Sequence, residues 1–248
     1  DRMLDIGFYE DILKIESYLP KNRQTLMFSA TMPPEIRKLA SKILNDPAEL
    51  NTAIAKPPKN VLQAVYMVYE EQKIPLINDL IADKPDYKSI LIFSSTKKKV
   101  TDIVRSLKKE GLVCEGISSD LEQLQRQEVL LRFKSRETRV LVATDVLSRG
   151  IDIQDINLVI NFDVPNDAED YVHRIGRTAR AEKDGVALTF VTQNDTYDFH
   201  KIEKLIEQEV IKLPPPKDLG EGPAWEVKHR RKSSFQIRKF SGGRKKRK

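Results

Sequence analysis

The chain has 248 residues, 32% of them charged and 40% hydrophobic, which suffices for one or two domains with real cores. No apolar run approaches membrane-span length and no signal peptide is recognisable. The single cysteine, Cys114, excludes an internal disulfide, and three scattered histidines with that cysteine leave no zinc site. The net charge of +6 is uneven: residues 217–248 hold 12 Lys/Arg against 3 Asp/Glu, whereas the other 216 residues hold 31 against 34. The tail therefore carries the basic character, either as an arm for nucleic acid or as a solubilising terminus. The start at Asp1, without Met, is the start expected of a fragment.

Residues 1–50 read as two helices around one strand. Leu26–Ser29 is a short apolar run, and Pro33–Pro34 opens a helix with Ile36, Leu39, Ala40, Ile43 and Leu44 at helical spacing. Residues 51–60, rich in proline and without periodicity, read as a linker. From Val61 the pattern is that of strands alternating with helices. Strands are expected over Val61–Val68, Ser89–Phe93, Val113–Ile117, Arg139–Thr144, Leu158–Phe162 and Val186–Val191. Helices are expected over Pro75–Ala82, from a Thr96 cap to Gly111, over Glu122–Phe133 and over Thr196–Val210. Continuous apolar strands alternating with helices predict an α/β fold, a parallel sheet covered by helices on both faces. Residues 213–223 are proline- and glycine-rich and read as unable to pack. Together with the basic residues that follow, they predict a disordered tail over 213–248.

Ligands of parallel sheets sit at the carboxyl ends of the strands. There the sequence places Ser94, Ser95 and Thr96; Ser118, Ser119 and Asp120, followed by Gln123 and Arg126; Thr144 and Asp145, followed by Arg149, Gly150 and Asp152; and Asp163. After that last strand comes Tyr171–Arg180, with arginines at 174, 177 and 180. As a helix it would set all three near one face, with Asn166 and Glu169 resembling a capping box. Taken singly, these are helix caps, turn formers and solvated cations. Together on one edge they predict a phosphate-binding surface.

In this order the residues resemble the C-terminal part of the DEAD-box ATP-dependent RNA helicases. Asp1–Phe8 resembles the stretch around the end of the Asp-Glu-Ala-Asp box, with Asp1 as its last residue. Ser29-Ala30-Thr31 matches the Ser-Ala-Thr motif, and Leu91–Thr96 the fourth motif. Gln123-Leu124-Gln125-Arg126 matches Gln-x-x-Arg, Ala143–Asp152 the fifth motif, and His173–Arg180 the sixth. The resemblance covers roughly residues 1–210, and Ser29–Ile36 is similar to the bacterial RhlE-like branch. Two departures stand out: Ala179 replaces the usual glycine of Arg-Thr-Gly-Arg, and Ser118-Ser119 replaces a common His-Gly. No Gly-x-x-x-x-Gly-Lys-[Ser/Thr] phosphate loop is present.

The resemblance implies a recombinase-like P-loop NTPase helicase domain 2 over 61–212, preceded over 1–50 by the end of domain 1. It implies catalytic roles for Arg177 and Arg180 as arginine fingers, with Asp1. Gly150, Asp152, Arg177 and Arg180 would bind ATP. Ser29, Thr31, His173 and Arg174 would couple the two domains, and Ser94, Thr96, Gln123, Arg126, Thr144 and Arg149 would bind RNA. ATP and Mg²⁺ are the implied cofactors, both needing a phosphate-loop domain, and no complete metal site is expected in the chain. The implied partners are single-stranded or short duplex RNA, read with little sequence preference, and ribosomal or other ribonucleoprotein. The protein is expected to be monomeric, cytoplasmic and away from membranes. An RNA-binding or annealing protein without productive ATPase, and a DNA helicase of the same superfamily, stay open as alternatives.

Overall fold

The computed structural model describes residues 7–29, 32, 34–50, 57–58, 60–144, 156–178 and 184–227. The chain divides into two compact units, Asp1–Ile54 and Ala55–Lys248.

In the N-terminal unit, helix α1 (Tyr9–Ser17) and helix α2 (Pro34–Ile43) form, and α2 buries Ile36, Leu39 and Ala40, its apolar stripe. The strand expected over Leu26–Ser29 does not pair. Leu26 is 68% and Phe28 89% exposed. A β-strand needs a neighbour for its N–H and C=O groups, and none is available among the described residues of this unit. An open cleft of about 920 Å³ lies along this segment, lined by Arg23, Leu26, Phe28, Lys42 and Leu50 among others.

The C-terminal unit is built on a seven-stranded sheet, every pair of which is parallel. Its strands are β1 (Val61–Met67), β2 (Ile90–Ser94), β3 (Cys114–Ile117), β4 (Val140–Thr144), β5 (Leu158–Asn161), β6 (Gly185–Val191) and β7 (Ile211–Leu213), in the order β3-β4-β2-β5-β6-β1-β7. Helices α3 (Lys73–Ile81), α4 (Lys97–Lys109), α5 (Gln123–Lys134), α6 (Ala168–Ile175) and α7 (Thr196–Ile206) connect them. Alternate residues of a strand face opposite sides, and the core divides accordingly. Ile90 and Ile92 of β2 pack with Leu76, Ile77, Ile103 and Leu107 of α3 and α4. Leu91 and Phe93 pack on the other face with Val129 and Phe133 of α5. On that same face, under β1 and β6, α6 and α7 bring Tyr171, Ile175, Phe199 and Ile202. Each such fully buried aliphatic or aromatic side chain contributes about 1.5–3 kcal/mol.

Local signals set the helix ends. Thr96 caps α4, its hydroxyl accepting from the Lys99 N–H at 3.2 Å, and Gly111, at φ 78°, turns the chain out of it. For α6 the cap is Asp167, whose carboxylate accepts from the Glu169 N–H at 3.2 Å, rather than the expected Asn166.

The segment after α7 departs from expectation. Residues 211–213 complete the sheet, pairing with β1, and a 3₁₀ turn follows at Lys217–Leu219. Gln72 donates to the carbonyls of Leu219 (2.8 Å) and Glu221 (3.2 Å), and Gln193 donates to that of Glu226 (3.0 Å). Trp225 meets Phe199 edge-on at 6.2 Å. Residues 211–227 thus pack as a strap. Proline and glycine suppress regular structure there, but side chains of the folded unit supply the bonds that helix or sheet would otherwise make. Residues 228–248, and most of the expected linker 51–60, lie outside the described residues.

Candidate nucleic-acid and phosphate edge

Because every strand runs the same way, all their carboxyl ends meet one edge. Ser94 pairs in register with Thr144, Phe93 with Asn161, and Ile117 with Ala143. The turns after β2, β3 and β5 therefore open beside the end of β4. Lys97, in the first turn of α4, makes an ion pair with Asp120 of the turn after β3, tying those two turns together.

The expected RNA-binding residues divide. Thr96 and Gln123 are exposed at the starts of α4 and α5. Arg126 lies one turn into α5 and donates to the Ser119 carbonyl at 3.3 Å, and its Nε is buried without a hydrogen-bond partner. Thr144 is buried at the end of β4. Ser94 is a correction: its side chain is fully buried and its hydroxyl donates to Asp163 Oδ2 at 3.2 Å, so it points into the protein rather than at a ligand. An incoming ligand would meet Ser95 and Thr96 instead, both exposed.

The arginine segment is corrected as well. Helix α6 ends at Ile175, so Arg174 and Arg177 do not share one helical face. Arg174 is 3% exposed and belongs to the core of the domain. Its Nη1 donates to Asn161 Oδ1 (3.2 Å) and the Asp163 carbonyl (2.8 Å), and its guanidinium lies 5.2 Å over the Phe93 ring. Arg177 is half-buried in the turn that follows α6. That turn is pinned where Thr178 donates its hydroxyl to the Ile156 carbonyl. His173 is half-buried, with Nδ1 3.9 Å from Asp170 Oδ1. Ser29 is described in the N-terminal unit. Asp1, Thr31, Arg149, Gly150, Asp152 and Arg180 lie outside the described residues. Among the described residues, no three His, Cys, Asp or Glu side chains gather as a metal site.

Sequence reasoning passed over a charged cluster at the end of β5. Asp163 is 8% exposed and Lys73 only 1%. Asp163 Oδ1 accepts from Lys73 (3.3 Å) and Lys99 (2.6 Å). Its Oδ2 accepts from the hydroxyls of Ser94 (3.2 Å) and Ser95 (2.8 Å) and from the Ser95 N–H (2.8 Å). Glu70 completes the group, bound to Lys73 (2.8 Å) and Lys99 (2.7 Å), and both ammonium groups lie over the Phe162 ring. Burial works to raise the Asp163 pKa. The Lys99 hydrogen bond, the Ser95 N–H, the Lys73 charge and the Ser95 hydroxyl outweigh it and hold the carboxyl at about 2. The same balance, burial opposed and overcome by bonds from Lys73 and Lys99, lowers the Glu70 pKa. The available signal was a lysine inside an apolar helical stripe, Lys73 beside Leu76 and Ile77.

Residues 72–182 match the family described as the helicase conserved C-terminal domain. The E. coli DEAD-box protein SrmB, solved in complex with a regulator of ribonuclease activity, is 31% identical. The match covers 99% of the SrmB chain and 70% of this one, with a TM-score of 0.61. The chain belongs to the DEAD-box helicase family. The DEAD-box ATP-dependent RNA helicase CshA of Geobacillus kaustophilus is 43% identical over 87% of this chain and 46% of its own length. S. cerevisiae Dbp5 bound to RNA and ADP BeF3 is 30% identical with a TM-score of 0.74, over 84% of this chain and 56% of that one. The chain spans about half the length of the curated relatives it matches. Within the DEAD-box family, the seven-stranded parallel sheet of residues 61–213 is the helicase C-terminal domain of recombinase-like fold.

Proposed function

We propose that this chain is the half of an ATP-dependent RNA helicase that supplies one side of the RNA groove and the arginines of the ATP site, and that it works with a phosphate-loop half. The observation that carries this reading is the single edge onto which the parallel sheet opens Thr96, Gln123, Arg126 and Thr144, while the Arg177 turn is held beside Ile156, just before β5. The names of the relatives, RNA helicases, and the RNA-bound state of a structural neighbour favour RNA over DNA and over a purely annealing role. The curated relatives reported carry the name CshA, so the reading is CshA-like rather than RhlE-like.

In this reading Arg177 and Arg180 approach the phosphoryl group as it transfers and neutralise the charge that develops there. Gly150 and Asp152 hold the nucleotide, with Asp152 accepting from its ribose hydroxyls. Mg²⁺, which would offset phosphate charge, belongs with the phosphate-loop half and with Asp1. The resemblance to the family assigns His173, Ser29 and Thr31 the coupling of nucleotide to domain closure. Thr96, Gln123, Arg126, Thr144 and Arg149 hold RNA by phosphate and 2′-hydroxyl contacts, which carry little sequence information. Closure on a bent single strand expels its partner, so short duplexes open locally, including those in ribonucleoprotein. A reducing, cytoplasmic setting and a monomer fit the one free, buried Cys114.

The test is strand release from a short RNA duplex by this chain joined to its phosphate-loop half. ATP-dependent release that unlabelled single-stranded RNA competes away, and single-stranded DNA of the same sequence does not, is the expected result. Equal competition by DNA, or strand annealing without release, would overturn it.

A further inference from the structure

We propose that Asp163 is a positioning residue for RNA: it holds the Ser94–Thr96 turn and the start of α4 at the depth where they meet the RNA backbone, and it binds Arg174 to the same point. This inference rests on the proposed function.

Asp163 joins three segments: the turn after β2, the start of α4 and α6. Its carboxylate takes the Ser95 N–H and the hydroxyls of Ser94 and Ser95, fixing the turn after β2. It takes Lys99, one turn into α4 and itself bonded through its N–H to the Thr96 cap, fixing the start of that helix. Its main-chain carbonyl takes Arg174 of α6, two residues before the Gly176-Arg177 turn. Lys73, reaching in from α3, supplies a second buried cation, and Glu70 balances the charge at two against two.

The chemistry argues for a task beyond stability. Buried ion pairs often stabilise a fold no more than apolar side chains of the same size, because desolvation offsets the attraction. What a charged hub adds is geometry. Five donors converge on one carboxylate, and each comes from the turn after β2, the start of α4 or the buried Lys73 of α3. Removing the Asp163 charge would leave two lysines against Glu70 alone, and the turn after β2 would lose its anchor while the sheet behind it stayed paired.

The test uses the chain joined to its phosphate-loop half and measures RNA-stimulated phosphate release for wild type, Asp163→Asn, Lys99→Met and Glu115→Gln. Glu115→Gln breaks the bonds of Glu115 on β3 to Arg132 near the end of α5 and to Thr138 before β4, away from this hub, and serves as a destabilised control. Asp163→Asn and Lys99→Met should each raise the half-saturating RNA concentration about tenfold, the scale of one net hydrogen bond lost from binding. The ATP KM should stay within about twofold, and Glu115→Gln should leave half-saturating RNA where wild type has it. Unchanged half-saturation in Asp163→Asn and Lys99→Met, or an equal rise in Glu115→Gln, would overturn the proposal. Should Asp163→Asn fail to fold, Lys99→Met decides on the same criterion. Absence of RNA stimulation in the wild type would instead refute the functional reading on which the proposal stands.

Discussion

Arg174 and Arg177 stand three residues apart in one motif and are placed for different work. Arg174 is spent inside the domain, on Asn161, the Asp163 carbonyl and the Phe93 ring, whereas Arg177 lies in the turn beyond the helix. Arg177→Ala in the joined helicase should therefore lower turnover steeply, by about 10³-fold or more where a finger is used in full, and leave RNA affinity without nucleotide nearly unchanged. Lys at 177 should rescue poorly, because the planar fork is lost. Single-turnover phosphate release beside RNA titration checks this, and near-normal turnover in Arg177→Ala would reassign the residue to structure. Arg174→Ala should instead destabilise the fold. At Asp163 the folded pKa of about 2 lies below the ordinary 3.8. The ionised form thus stabilises the folded state fully above about pH 4, and this contribution is lost as the pH falls through about 2. The stake is about 2 kcal/mol. Acid unfolding of wild type and Asp163→Asn should differ by that slope between about pH 4 and 2, and parallel curves would refute the assignment.

At the level of elements, the strands were legible because apolar runs in a parallel sheet are continuous. Thr96 was legible because a cap and its helix are neighbours in sequence. What failed was non-local. Lys73 and Asp163 are 90 residues apart, and nothing near either announces the other. Leu26–Ser29 has strand composition without a strand's neighbours. Ser94 read as ligand-facing because its inward direction depends on a carboxylate 69 residues on. The strap was misread because its bonds come from Gln72 and Gln193, far away in the chain. Its fit is testable. A Cβ on Gly222 would stand 2.0 Å from the Met67 carbonyl oxygen, so Gly222→Ala must unseat it. Trp225→Ala removes the ring that packs on Phe199 and lies under Lys212. Each change should lower the unfolding free energy of the C-terminal unit by about 1–3 kcal/mol, read from denaturant midpoints. No shift in either would return residues 214–227 to a loose tail.

Over the whole molecule, charge and chemistry are separated. The 21 residues 228–248 hold 11 Lys/Arg and no Asp/Glu, beyond a strap that already belongs to the folded unit. Deleting 228–248, and not the strap, should flatten the dependence of RNA affinity on salt while saturated ATP turnover persists, since each phosphate neutralised adds about 0.7 to the slope on single strands. A deletion that left the slope intact and abolished preference between two RNAs of equal length would mean that the tail reads sequence. The ATP chemistry, by contrast, is divided between halves in the proposed function: the arginines of this chain are assigned to the transition state, and its sequence holds no phosphate-loop motif for the nucleotide. RNA-stimulated phosphate release, measured for the 248-residue chain alone and joined to its phosphate-loop half, tests that division most directly. The account predicts no release from the chain alone and RNA-stimulated release from the joined protein that Arg177→Ala removes. RNA-stimulated release by the chain alone would contradict it.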